Sequence, residues 1–195
     1  MRSAFKEWAV VVDALGRGEQ TLILRKGGIA EAPGGFRVEH PEFFLFPTLF
    51  HQQRESVVPE GQTRFDLLMQ DWPPIDRVRL QYFASAAGWW RLGSLDTVRQ
   101  LKGLHIWREE VVEERFKQGA EQALYVLALR IFRLPEPVEL PQRSDYGGCR
   151  SWVDLARDIP IEDAEPVLSD SVFARRMGQL IHRLQSAHSD AALFA

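Results

Sequence analysis

The run ALYVLALRIFRL, residues 123–134, constrains the fold more than any other part of the chain. It is nearly unbroken in apolar residues, most of them aliphatic. It is bounded downstream by LPEPVELP, whose prolines forbid a helix. A run of this length and composition predicts a strand buried on both faces. Such a strand needs neighbours on either edge and a layer on either side, so the rest of the chain must supply them.

VRLQYF within DRVRLQYFASAAGWW (76–90) alternates apolar and polar residues at period two, the mark of a half-buried strand. FFLF, after Pro41, reads as another strand. WAVVVDAL (8–15) and TLILRK (21–26) flank Gly16, Arg17 and Gly18, which predicts a hairpin. GGIAEAPGG (27–35) reads as a loop, FRVEH as strand, TRFDLLMQDW (63–72) as extended chain, and LPEPVELP as an extended crossover. TLFHQQRESV after Pro47 is expected to form one or two helical turns, stopped by Pro59 and Gly61.

The helical expectations are few. SLDTVRQL (94–101) has Ser94 as a cap and Gly103 as its stop. WREEVVEERFKQG (107–119) is charged and ends in glycine, which predicts a helix, with an edge strand as the alternative. In SDSVFARRMGQLIHRL, Val172, Phe173, Met177, Leu180, Ile181 and Leu184 recur at three-four spacing behind Ser169 or Asp170, which predicts a C-terminal amphipathic helix. The expected class is therefore α+β. It is predominantly antiparallel β, in a small twisted or closed barrel-like sheet with a few short helices. An N-terminal β-rich lobe over 1–103 and a C-terminal lobe over 104–195 are the expected divisions, with one continuous domain as the alternative.

Composition excludes several functions. One cysteine, Cys149, allows neither an internal disulfide nor a Cys-rich zinc site. No apolar stretch reaches the roughly 18 residues a membrane helix needs, so a cytoplasmic protein without a membrane partner is expected. The net charge of −3 gives no global attraction to nucleic acid. However, the only lysines are Lys6, Lys26, Lys102 and Lys117, so almost every cation is an arginine, the side chain suited to gripping phosphates. Phosphate-binding glycine loops and the Gly-x-Ser-x-Gly elbow are absent.

Two constellations remain. Glu39, His40, Glu42 and His51 around the aromatic block offer oxygen and imidazole groups for a metal-dependent hydrolase or nuclease, although strand alternation sends Glu39 and His40 to opposite faces. No metal or other cofactor is expected in the leading reading. Six tryptophans give the second constellation. Trp89 and Trp90 must face opposite ways on a strand, and Arg91 follows them. An exposed ring beside guanidinium groups suits base stacking with phosphate contacts.

The segments FKEWAVVVDALGRGEQTLILRKGGI, EHPEFFLFPTLFHQ, LALRIFRLPEPVELP and YGGCRSWVDL resemble the bacterial family catalogued as domain of unknown function 1802. Relatives joined to restriction-type nuclease domains imply a role in restriction or defence, with a nuclease as partner. The C-terminal half also resembles, in outline, the barrels of PUA, ASCH and EVE domains, which bind RNA or modified bases. That resemblance implies a pocket walled by Trp107, Phe132 and Trp152, with Arg130 and Arg150 contacting phosphates. The leading expectation is a non-enzymatic nucleic-acid-binding protein that reads a base. A protein-interaction scaffold using the C-terminal helix is a further alternative.

Overall fold

The computed structural model describes residues 1–26, 40–49, 54–119, 121–148 and 151–184, and the backbone of 191–193. The predicted loop 27–35, the FRVEH strand apart from His40, and part of TLFHQQRESV lie outside these residues.

Two long strands form the spine. β4 (Arg77–Leu92) and β5 (Leu124–Pro141) pair antiparallel over their whole lengths. The expected crossover LPEPVELP is instead the second half of β5. Its prolines are accommodated by a bulge. Leu80 pairs with Val138 and Tyr82 with Arg133, so the chain from Leu134 to Pro137 stands opposite Gln81 alone. Pro135 and Pro137 thus fall where the ladder demands no N–H. Gln81 closes the gap by donating Nε2–H to the Leu134 carbonyl at 3.0 Å.

The other strands add to this pair. β3 (Glu42–Thr48) joins β4, and β1 (Ser3–Trp8) runs parallel to β3. β6 (Trp152–Asp154) joins β1. On the other edge, β2 (Leu22–Arg25) and β7 (Glu165–Pro166) both pair with β5, while β8 (Ala191–Leu193) extends β4 beyond β3. The order is β2-β5-β4-β3-β1-β6, and every pairing except β1–β3 is antiparallel. The sheet curls strongly. β2 and β6 are the two ends of that order, yet Arg25 at the end of β2 donates Nη2–H to Ser151 Oγ beside β6 at 2.8 Å. Strands from both sides of Gly103 build this one sheet.

The two faces carry separate cores. Phe5, Phe43, Leu45, Ala84 and Ile131 belong to the inner cluster, with Ile23 and the helices. Ala4, Phe44, Phe83 and Val153 belong to an outer cluster with Phe46, Leu80, Leu134 and Tyr146. The alternation along β1 and β3 sends successive residues to opposite clusters, as the pleat requires.

Two helices replace predicted strands. AVVVDALG forms α1 (Ala9–Gly16), buried at every position except Asp13. A helix buried nearly all round has no polar stripe, so its sequence is indistinguishable from a buried strand, and packing overrides the β-propensity of three valines. α2 (Pro59–Gln70) replaces the extended reading of TRFDLLMQDW. Pro59 and Glu60 begin it, because a proline in the first turn loses no helical hydrogen bond. Phe65 and Leu68, three apart, pack on the inner cluster.

α3 (Leu95–Arg99), α4 (Glu109–Lys117) and α5 (Asp170–Leu184) fall where the sequence places them. Ser94 holds the cap position of α3, though its side chain makes no cap bond, and Gly103 takes φ +78°. Ser169 caps α5, its Oγ accepting the Val172 N–H at 3.4 Å. Leu180 and Leu184 are buried, with Met177 and Ile181 packed beside them. Arg183 then ties α5 to the end of α3, donating to the carbonyls of Gln100 and Lys102, each at 2.7 Å. Among the described residues, no helix is long and apolar enough to cross a membrane.

Candidate nucleic-acid interface

The curl of the sheet brings β1 and β2 together at its open end. Phe5 and Glu7 are two residues apart on β1, so they share the inner face. Phe5 belongs there. Glu7 is a carboxylate in the same position, with its side chain 2% exposed. One oxygen, Oε1, accepts the Trp8 backbone N–H at 2.8 Å. Oε2 is buried and accepts no hydrogen bond. Arg25 Nη1 lies 3.7 Å from it, close enough to pair by charge. The Arg25 guanidinium also lies 4.7 Å over the Phe5 ring.

α4 closes the third side. Val112 and Phe116 anchor the helix in the core. Arg115 therefore reaches inward, with its guanidinium 4.5 Å over Trp8 and 5.5 Å over Trp107. Planar, weakly hydrated guanidinium is suited to such stacking. Lys26 secures the helix end by donating to the carbonyls of Phe116 at 2.7 Å, Ala123 at 3.1 Å and Glu121.

Between these groups is an open hollow of about 200 Å³, lined by Glu7, Trp8, Leu24, Arg25, Lys26, Arg115 and Gln118. Three of its walls carry cations and one a carboxylate. Burial pushes the Glu7 carboxyl above the usual carboxylate range, against the lowering pull of Arg25, the Trp8 N–H and Arg115. Burial likewise lowers Arg115, while Glu7 opposes that shift. Glu7 Oε2 lacks a donor but is buried away from solvent, whereas Arg115 lines the hollow and has no hydrogen-bond acceptor among the described residues.

Elsewhere the arginines are mostly spent on carboxylates. Arg17 pairs with Asp13, Arg54 with Asp66, Arg79 with Asp71, Arg99 with Glu113 and Arg143 with Asp145. The hollow differs from these surface pairs in its excess of cations.

The residues singled out from sequence scatter around this site. Trp107 is 1% exposed, with Nε1 unbonded, and forms the bed on which Arg115 lies. Trp152 packs edge-on against Phe5 at 4.9 Å, Phe43 at 5.1 Å and His40 at 5.0 Å, behind the β1 side of the hollow. Trp90 is buried, and Trp89 is half-buried 6.4 Å from Tyr125. Arg91 lies in the same cross-strand row as Tyr125 and Arg25, where Glu121 holds it at 2.6 Å. Phe132 and Arg130 are on the opposite face. Phe132 stacks on Phe83 at 4.7 Å, and Arg130 pairs with Asp170 while lying over Phe132 and Phe173. Trp152 and Phe132 therefore do not wall a common pocket. Glu39, His51, Cys149 and Arg150 lie outside the described residues. Glu42 is exposed at the start of β3, and among the described residues no group of three or more His, Cys, Asp or Glu could hold a metal.

Sequence reading missed Glu7, Trp8, Arg25, Lys26, Arg115 and Gln118. One signal was present: in AFKEW a glutamate occupies the inward parity set by Phe5. It was hidden because β1 was misplaced by several residues.

The fold is a curled, mostly antiparallel sheet with helices packed against its inner face and a hollow lined by three cations and one carboxylate. Residues 4–179 match the family model described as Domain of unknown function (DUF1802), and the chain belongs to that family. No curated protein matches it. Among solved structures, ASCH from Zymomonas mobilis is similar at 12% identity with a TM-score of 0.45, over 91% of this chain and 94% of that one. A point variant of the same protein gives 15% identity and a TM-score of 0.43, over 80% of this chain and 90% of that one.

Proposed function

We propose that this chain binds nucleic acid without altering it, seating one unpaired nucleotide in the hollow between Glu7, Arg25 and Arg115. The observation that carries this reading is Arg115: a guanidinium stacked on two tryptophans, lining an open cavity, with no hydrogen-bond acceptor among the described residues. A nucleotide supplies what the hollow lacks. Its base offers polar edge acceptors to Arg115, and its phosphates suit the cations at the mouth. The net charge of −3 does not oppose this, because screening limits distant carboxylates to roughly one Debye length of about 8 Å.

Anisotropy titration with labelled single-stranded oligonucleotides tests the reading. Binding at low salt should weaken as salt rises, with a log–log slope of about −1 to −2 for two or so neutralised phosphates. Absence of binding to every oligonucleotide at low salt contradicts it.

A further inference from the structure

A second and larger cavity opens between α1, α2, β3 and β4, and it shares no lining residue with the hollow. Its volume is about 370 Å³, within the roughly 300–1,000 Å³ of small-molecule sites. Val12, Leu45 and Leu68 give it apolar walls. The end of α2 sets its rim. Arg79 donates Nη1–H to the Asp71 carbonyl at 3.1 Å and to Asp71 Oδ2 at 2.7 Å, which holds the turn where Trp72 follows. Trp72 is half-buried and lines the cavity, and it makes no ring, cation or hydrogen-bond contact with a described residue. Two further groups on the wall are open. The Tyr82 hydroxyl makes no hydrogen bond among the described residues, and Gln81 bonds through Nε2 to Leu134, leaving Oε1 free. The Trp72 Nε1, Tyr82 hydroxyl and Gln81 Oε1 atoms are not sealed from solvent. Burial raises the Tyr82 hydroxyl above its ordinary range, so it stays protonated at neutral pH and can donate.

Charge separates this cavity from the hollow. Each of its three arginines is matched by a carboxylate: Arg17 by Asp13 at 2.8 Å, Arg79 by Asp71 at 2.7 Å and Glu139 at 3.3 Å, and Arg64 by Glu19. A phosphate finds no spare cation here, and any anion meets Asp13 and Asp71 on the wall. A cation meets the guanidinium groups instead. We infer that this cleft is a second binding site, for an uncharged aromatic small molecule that packs on Trp72 and hydrogen-bonds to the open groups of Tyr82 and Gln81. The apolar walls take the ring, and aromatic rings pack on one another in offset or edge-on contact. A polar substituent satisfies the tyrosine hydroxyl or the glutamine carbonyl, which fixes the ligand's orientation.

Three probes of nearly one shape and different charge test this: benzamide, benzoate and benzylammonium. Each is titrated into the wild-type chain while the tryptophan indole N–H signals are followed by proton–nitrogen NMR. The Trp72 signal, identified by its loss in Trp72→Leu, should shift with benzamide. Benzamide should bind at least about fivefold more tightly than either ion. Leu67 lines the cleft and is 55% exposed, so Leu67→Trp fills the space from the rim without entering the core. That variant should lose the benzamide shift and keep the oligonucleotide affinity of wild type. No Trp72 shift with benzamide, equal affinity for either ion, or a shift undiminished in Leu67→Trp would overturn the inference. The charge comparison uses the wild-type chain, so it stands even if a variant does not fold.

Discussion

Arg25 and Glu7, on strands that are not neighbours in the sheet, meet 3.7 Å apart inside its mouth. Glu7 is 2% exposed and Arg25 is 23% exposed, so the pair is only partly open to water. Breaking it strands a buried carboxylate. Arg25→Met should cost about 2–3 kcal/mol in urea unfolding, below the ~3–5 for a fully buried pair because the arginine keeps some solvent. The double variant with Glu7→Gln should recover part of that loss, which a double-mutant cycle will show.

Glu7 also sets a pH dependence. Its folded pKa is raised above the ordinary 4.5, chiefly by burial. The unfolded chain therefore releases this proton first as pH rises. Its contribution to stability is complete below about pH 4.5 and declines as pH climbs through the raised folded value. Melting temperatures of wild type and Glu7→Gln, compared across pH 4 to 8, should diverge in favour of the variant with rising pH. A constant difference would show that Glu7 is not perturbed.

His105 acts in the opposite sense. Burial lowers it from 6.5 to about 4. Its stabilising contribution is present above pH 6.5 and is lost as pH falls toward 4. Replacing it with glutamine should flatten the acid limb of the stability profile over that window, as read by thermal melts.

Gly16 closes α1 directly beneath Tyr82. A Cβ there would lie 2.2 Å from the ring, which Arg133 covers from 5.6 Å while donating to the Gly16 carbonyl at 3.0 Å. The ring has little freedom to yield. Gly16→Ala should destabilise by about 1–3 kcal/mol through overpacking, measured by urea unfolding.

The regular elements were legible where burial is one-sided. β4 alternates, α5 has a stripe, and β5 has the length of a spine, so each announces its period. α1 did not, because all its faces but one are buried and no polar residue marks a period. α2 was obscured by Pro59, which reads as a stop after the preceding segment but serves as the first turn of the next helix. The bulge at Leu134–Pro137 depends on the partner strand, so prolines alone suggested a crossover. The hollow was the least legible part. Glu7, Arg25 and Arg115 come from three distant stretches, and only the curl that brings β2 beside β1 assembles them. Trp107 and Trp152, expected as pocket walls, pack against Arg115 and Phe5 respectively.

Arg115→Met removes the charge while keeping an unbranched apolar side chain over Trp8 and Trp107, and Val112 and Phe116 still anchor the helix. The most direct measurement is therefore the oligonucleotide affinity of Arg115→Met at low salt, with the melting temperature recorded alongside. A nucleotide seat predicts a loss of tenfold or more in affinity with a melting temperature within a few degrees of wild type. Unchanged affinity in a folded Arg115→Met protein would contradict it.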